Sequence, residues 1–317
     1  MKLLKKLFKT GENDTHKIYH ILGIRIKIRK KPVPNYLTPQ TLAKILNNVM
    51  DITRCPKARG KLRKLQIADT LLLKIFHNIC VKHNMQYWLA DGTLLGAIRH
   101  NGFIPWDDDL DVCISYDSYD KMVSVLQSEF NNTNFKLYGI DKTRFGNATI
   151  RITHQNFEFL NLDIFYCHPS SLPTEDRAYV QQIKEQYKRL YYRRFSHILR
   201  EDKETLKNFR LELNVPFEKA IKSVELSEAS TLVRQISSSF TFVDKSVVFP
   251  LKSHKFEEFE FYVPNDTHKA LTECFGNYLS FPDNFIQHQD SMFQNFEEAA
   301  IDPIIDELKQ FIEQQTI

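Results

Sequence analysis

The sequence predicts an α/β chain, more narrowly α+β. Three observations carry this: a long stretch of helical periodicity, a series of short stretches after it that alternate apolar and polar residues, and acids that fall on the polar positions of those stretches. Leu62, Leu65, Ala68, Leu72, Ile75, Phe76 and Ile79 recur at helical spacing and predict a core helix ending near His83 and Asn84. Beyond it, residues 86–89 read as a strand, 90–92 as a turn, 93–99 as a helix, 103–108 as a loop and 109–114 as a strand. Two further strands are expected at 147–153 and 159–165. Residues 177–200 read as a basic, aromatic-laced surface helix, 256–264 as an apolar-alternating segment, and a last helix starts at about Asp302.

With 317 residues, 42% of them hydrophobic, the chain can bury a core of its own. Its five scattered cysteines, Cys55, Cys80, Cys113, Cys167 and Cys274, include no CxxC pair and read as reduced, mostly buried thiols without a disulfide or zinc site. No run approaches the roughly 18 apolar residues of a spanning helix, and the N-terminus lacks the apolar centre of a secretory signal, so a cytoplasmic location is expected. The net charge of +4 is unevenly spread: the first 31 residues hold ten Lys/Arg against two acids, a surplus of +8, and the remainder is −4. Leu3, Leu4, Leu7 and Phe8 accompany these bases. The segment therefore reads either as a solubilising tail or as an arm for an anionic membrane surface, peripheral on the inner face of the cytoplasmic membrane. Ile24, Ile26 and Ile28 alternate with Arg25, Lys27 and Arg29 as in a short hairpin, and Pro32, Pro34 and Pro39 then break regular structure. The expected division is a basic arm and linker over 1–40 and a folded body over 41–317.

The chemistry is concentrated between Tyr87 and Ser115. Asp109 and Asp111 lie two apart on a predicted strand, so both carboxylates project from one face while Leu110 and Val112 point into the core. Such a pair repels itself unless a cation lies between, and oxygen-only ligation suits Mg2+ or Mn2+ shared with substrate phosphates. Asp163, bracketed by Leu162 and Ile164, is a third acid in the same setting. Three strand-borne acids at one sheet surface predict a metal-dependent phosphoryl-transfer site with Asp109, Asp111 and Asp163 as metal ligands and catalytic residues. Upstream, Gly92 and Thr93 fall where a strand turns into a helix, so glycine backbone and helix N–H groups are expected to cradle a phosphate, with Thr93 as helix cap.

These residues carry a resemblance. Gly92 to His100, GTLLGAIRH, and Gly102 to Asp111, GFIPWDDDLD, are similar to the motifs of the LicD family, phosphocholine-type transferases of bacterial surface glycans, to which fukutin-related proteins are also similar. Weaker similarity extends to 162–165, 249–264 and 274–282, although FEEFEF at 256–261 stands where the family has a glycine-containing turn. The resemblance implies a polymerase-beta-like nucleotidyltransferase fold, a mixed sheet flanked by helices with additional C-terminal helices. It implies transfer of a phosphoalcohol, such as phosphocholine, from a CDP-linked donor to a hydroxyl of a cell-surface glycan, free or lipid-linked, such as lipopolysaccharide, lipooligosaccharide or capsule. In that setting Asp108 is a further candidate for general base or substrate contact, Arg99 for a phosphate contact or equally a structural ion pair, Trp106 for a wall of the cleft or a choline-facing ring, and Arg151 for a cation facing the cleft or water. Asp107 reads as a turn-former and His100, His154 and His288 as isolated histidines.

Two rival readings stand beside this one. A sugar-nucleotide glycosyltransferase also holds metal and diphosphate with Asp-x-Asp, but leaves Gly92–Thr93 and Asp163 without a role. A non-catalytic membrane-docking scaffold would have no use for three like charges at one surface. The net −4 of the body argues against a nucleic-acid partner.

Overall fold

The computed structural model describes residues 8–12, 16–21, 24–29, 39–140, 149–173, 178–182, 185–186, 189, 221–236, 239–282 and 297–315. The N-terminal segment forms an antiparallel sheet of three strands, β1 (Phe8–Glu12), β2 (His16–Ile21) and β3 (Ile24–Arg29), in that order. It has one strand more than the expected hairpin. Helix α1 (Pro39–Val49) follows, and Asp51 then caps a short 3-10 turn through the Thr53 N–H at 2.9 Å. Proline at the start of α1 costs nothing there, because its missing N–H would have had no intrahelical acceptor.

Helix α2 (Lys61–Lys82) is the expected core helix, starting one residue before Leu62 and ending, as expected, at the His83 C-cap. It contains neither Gly nor Pro between its caps, starts after Gly60 at φ 60°, and is followed by Asn84 at φ 49°, a left-handed position that asparagine tolerates. Its apolar stripe packs on one face of a seven-stranded mixed sheet. Strand β4 (Trp88–Leu89), helix α3 (Asp91–His100), strand β5 (Leu110–Ser115) and helix α4 (Tyr119–Glu129) come next. Strands β6 (Phe135–Tyr138), β7 (Thr149–His154) and β8 (Phe157–Ser170) then build the centre. Strand β8, 14 residues long, pairs in parallel with β5 and antiparallel with β7. Strands β9 (Thr231–Ile236) and β10 (Ser239–Asp244) complete the sheet, β9 pairing with the end of β8.

Alternation along these strands divides the sheet into an apolar face and one that carries Asp111, Asp163 and Arg151. Leu110, Val112, Ile114, Ile150, Ile152, Leu160, Leu162 and Ile164 are fully buried in one cluster with Leu65, Leu72, Ile75 and Phe76 of α2. Helix α7 (Asp302–Gln315) lies along α2 and runs parallel to it, because Lys64 Nζ meets Asp302 at 2.6 Å near one end and Asn78 Nδ2 meets Gln315 Oε1 at 3.1 Å near the other. Short helix α5 (Lys245–Val248) and helix α6 (Thr267–Phe275) flank a two-stranded hairpin, β11 (Lys252–Phe256) and β12 (Phe259–Val263). This is an α/β architecture of the mixed-sheet kind that the sequence predicts. The expected segment 256–264 is therefore the turn and second strand of a hairpin. Of the basic stretch 177–200, helical turns are described at 178–182, 185–186 and 189, and the rest lies outside the described residues.

The β11–β12 turn answers the missing glycine. Glu257 itself takes the left-handed conformation, φ 54°, and its carboxylate turns inward. It is 5% exposed, accepts two bonds from Arg63 at 2.9 and 2.8 Å, pairs with Lys57, and meets the Phe103 N–H at 3.3 Å, while its own N–H donates to Asn101 O at 2.8 Å. A Cβ on Gly102 would collide with this carboxylate, so Gly102 makes the approach possible. The hairpin thereby anchors the loop that leads to the acids. Glu257→Ala leaves Arg63 without its buried partner and should destabilise the fold by about 3 kcal/mol, read as a lowered midpoint in thermal or urea unfolding.

Candidate active site

The start of β5 is tied to the turn between β4 and α3 by two backbone bonds. Ala90 N–H donates to Asp111 O at 3.0 Å, and Asp111 N–H donates to the Thr93 hydroxyl at 2.7 Å. The Thr93 side chain therefore fixes Asp111. It does not cap α3, whose N-cap is Ala90 with no side-chain bond. The predicted turn at 90–92 is absorbed into the helix, with Asp91 at φ 43°. Gly92 serves a close approach of another kind than expected: a Cβ there would stand 2.8 Å from Asp107 Oδ2, so the missing side chain lets an aspartate come against the first turn of α3. The N-terminal N–H groups of α3 favour negative charge at that point.

Register then sets the carboxylates. Asp111 on β5 lies directly beside Asp163 on β8, and Asp163 directly beside Arg151 on β7, so the three share one face of the sheet. Arg151 grips Asp163 in a fork of two bonds, both 2.6 Å. This pairing holds the Arg151 pKa up and leaves both Asp163 oxygens engaged.

Asp107, Asp108 and Asp109 each present an oxygen within 4.8 Å of the others, forming the one metal-ligating group of three or more among the described residues. Asp109 stands just before β5 rather than on it. Asp107, read from the sequence as a turn-former, is a member of this triplet, while Asp111 and Asp163 stand beside it on the sheet. Gln66 of α2 holds the loop by donating to Asp107 O at 2.9 Å and Ile104 O at 3.3 Å. Burial, then Asp109 and Asp108, push the Asp107 pKa far up against a smaller pull from Arg99. Burial, then Asp109, Asp91 and Asp163, do the same to Asp111. Behind the loop lies Asp69 of α2, fully buried, with no side-chain partner and no hydrogen bond of ordinary geometry at either oxygen. Its pKa is raised by burial and by Asp108 and Asp109, and only in part drawn down by the Asn161 backbone amide. Clustered carboxylates backed by an orphaned buried one fit a divalent cation of the oxygen-binding kind.

Further along the same face a cavity of about 190 Å³ opens, lined among others by Trp88, Asp91, Cys113, Arg234, Phe242 and Glu273. Arg234 of β9 crosses it, donating to Asp91 Oδ1 at 2.6 Å and to Cys113 Sγ at 3.4 Å above the Phe165 ring. Burial alone would raise the Cys113 thiol, but the Cys167 thiol and Arg234 outweigh it and its pKa is lowered. Cys274 is exposed and the other four cysteines are buried; none is in a disulfide.

Two candidates are engaged in packing. Arg99 is 7% exposed and donates to Tyr278 O at 2.7 Å and to His100 at 3.0 Å. Trp106 is half-buried between two apolar clusters, edge-on to His100. Tyr87 is fully buried on His77, and His154 meets Glu307 at 3.2 Å. The N-terminal bases to Leu7, and His288, lie outside the described residues. The sequence reading missed Asp69, Asp91 and Arg234. Asp69 had a signal, a charged residue on the apolar stripe of a core helix; Arg234 had none, since only strand pairing brings it across.

Residues 84–199 match the family model described as "LicD/FKTN/FKRP, nucleotidyltransferase domain". The lipopolysaccharide cholinephosphotransferase LicD of Haemophilus influenzae is 48% identical over 64 residues, 20% of this chain and 24% of that protein. Uncharacterized proteins of Rickettsia prowazekii and Rickettsia typhi are each 52% identical over 46 residues, 14% of this chain and 17% and 15% of theirs. The matched stretch thus spans about a quarter or less of these relatives. The matched residues 84–199 hold the acidic loop and its flanking strands, and it is in this segment that the chain is similar to the nucleotidyltransferase domain of the LicD family.

Proposed function

We propose that this chain is a metal-dependent transferase that moves a phosphoalcohol, phosphocholine or a relative of it, from a CDP-linked donor to a hydroxyl of a cell-surface glycan such as lipopolysaccharide. The observation that supports it best is the continuity of the acidic triplet, the Asp111–Asp163–Arg151 row and the cavity beside them on one sheet face. The name of the Haemophilus relative points to the same chemistry. Asp109 and Asp111, with Asp107, Asp108 and Asp163 around them, are the residues to hold Mg2+ or Mn2+, which when bound neutralises the donor's diphosphate. The Arg151 side chain is half-exposed and held in place by Asp163, so it can meet a phosphate oxygen without further ordering. A carboxylate of the cluster takes the proton of the attacking hydroxyl. The β4–α3 turn holds Asp111 rigid through Thr93, so the acids do not reorganise during transfer. The cavity, with Trp88 and Phe242 in its wall, is where the alcohol or nucleoside of the donor would be enclosed.

No described helix is long and apolar enough to cross a membrane. The basic surplus of the first 31 residues suits an anionic membrane surface, and a lipid-linked acceptor assembled there gives the arm a purpose.

Purified protein incubated with CDP-choline, CDP-ethanolamine, CDP-glycerol and CDP-ribitol, acceptor glycan and Mg2+ or Mn2+ should release CMP from one donor. Asp109→Asn and Asp111→Asn should each reduce that release about a hundredfold or more. Turnover of a sugar nucleotide in place of all four donors would move the assignment to a glycosyltransferase. Since Asp107 and Asp111 carry pKa values held well above the carboxylate range, cation binding must displace protons. Calorimetric affinity for Mn2+ should therefore fall as the pH is lowered. Deleting residues 1–35 should move the protein from membrane to soluble fraction with turnover of a soluble acceptor unchanged; unaltered fractionation would remove the membrane role.

A further inference from the structure

Helix α2 turns an apolar stripe toward the sheet, yet three polar residues interrupt that stripe within little more than a turn. Gln66, Asp69 and Thr70 are 0%, 0% and 1% exposed. Two of them have partners. Gln66 holds the acidic loop through the carbonyls of Asp107 and Ile104, and the Thr70 hydroxyl donates back to Gln66 O at 2.6 Å. Asp69 has no side-chain partner and no hydrogen bond of ordinary geometry at either oxygen; the Asn161 backbone amide is near enough to draw its pKa down in part, and the charges acting on it are those of Asp108, Asp109 and Asp107. A carboxylate placed in the core against three others is unfavourable by desolvation and by repulsion alike, and an amide or an aliphatic side chain would serve packing better. What such a position does provide is negative potential at a depth that solvent does not screen, within electrostatic reach of the triplet.

We propose that Asp69 belongs to the cation site, as a buried positioning carboxylate that faces the divalent ion held by the 107–109 triplet from the α2 side. The inference rests on the reading of that triplet as a cation site. It adds a residue 38 positions before Asp107, on a different element from every candidate that the motif supplies. Gln66 and Asp69, one turn apart, then divide the work: one fixes the backbone of the loop, the other adds charge beneath its carboxylates.

The test is Mn2+ titration, by calorimetry and by electron paramagnetic resonance, of the full-length protein and its Asp69→Asn and Asp69→Ala variants. Thermal melting with Mn2+ and with chelator accompanies it. The wild type should bind Mn2+, and both variants should bind about tenfold or more weakly. In chelator Asp69→Asn should melt at or above the wild-type temperature, since a buried charge is gone, and its rise in melting temperature on adding Mn2+ should be smaller. Wild-type Mn2+ affinity in either variant that melts cooperatively overturns the proposal, as does loss of cooperative melting in both variants in chelator, which makes Asp69 a structural group. If the wild type itself fails to bind Mn2+, the cation reading of the triplet falls and this proposal with it.

Discussion

The backbone of Asp111 is the point on which the site depends. It is gripped on its C=O by the Ala90 N–H and on its N–H by the Thr93 hydroxyl, so the turn between β4 and α3 cannot move independently of β5. Everything else on the functional face is referred to that point by strand register: Asp163 lies beside Asp111, and Arg151 beside Asp163. Alternation does the rest, sending Leu110 and Val112 to α2 and Asp111 to the opposite face. A one-residue slip of β5 would bury Asp111 and expose the core, which is why register here is strongly specified.

Charge compensation follows from this geometry. Arg151 neutralises Asp163 and Arg234 neutralises Asp91, while burial and neighbouring carboxylates hold the pKa values of Asp107 and Asp69 up, with Arg99 pulling only weakly on Asp107. A fold does not gain stability from such an arrangement, and groups of this kind concentrate at functional sites. The scaffold around it is correspondingly over-determined. Gln66 pins the acidic loop from α2, and Glu257, in the strained left-handed position of its hairpin, pins the loop before it through Arg63, Lys57 and the Phe103 amide.

Much of the architecture was legible because it rests on local periodicity. The core helix, both acid-bearing strands and the apolar brackets around Asp111 and Asp163 follow from spacing alone. The motif residues were legible as a group while their individual tasks were not. Thr93, read as a helix cap, holds a strand; Gly92, read as a phosphate approach, makes room for Asp107; Asp107, read as a turn-former, is part of the triplet; Arg99, read as a phosphate contact, is bonded to Tyr278 O. In each case residue type and position imply a close approach or a hydrogen bond, but the partner comes from elsewhere in the chain.

The sequence by itself determined the fold class and the fact that Asp111 and Asp163 share a face, because side-chain direction in a strand and spacing along a helix are properties of the local backbone. Only the tertiary structure decided which acids draw together, that Arg151 closes on Asp163, that Arg234 reaches Asp91 and Cys113, and that Asp69 is stranded beneath the acidic loop. Those outcomes depend on strand register and on the seating of α2 against the sheet. Both are settled by packing between segments far apart in the chain, and by how burial weights each charge once they meet.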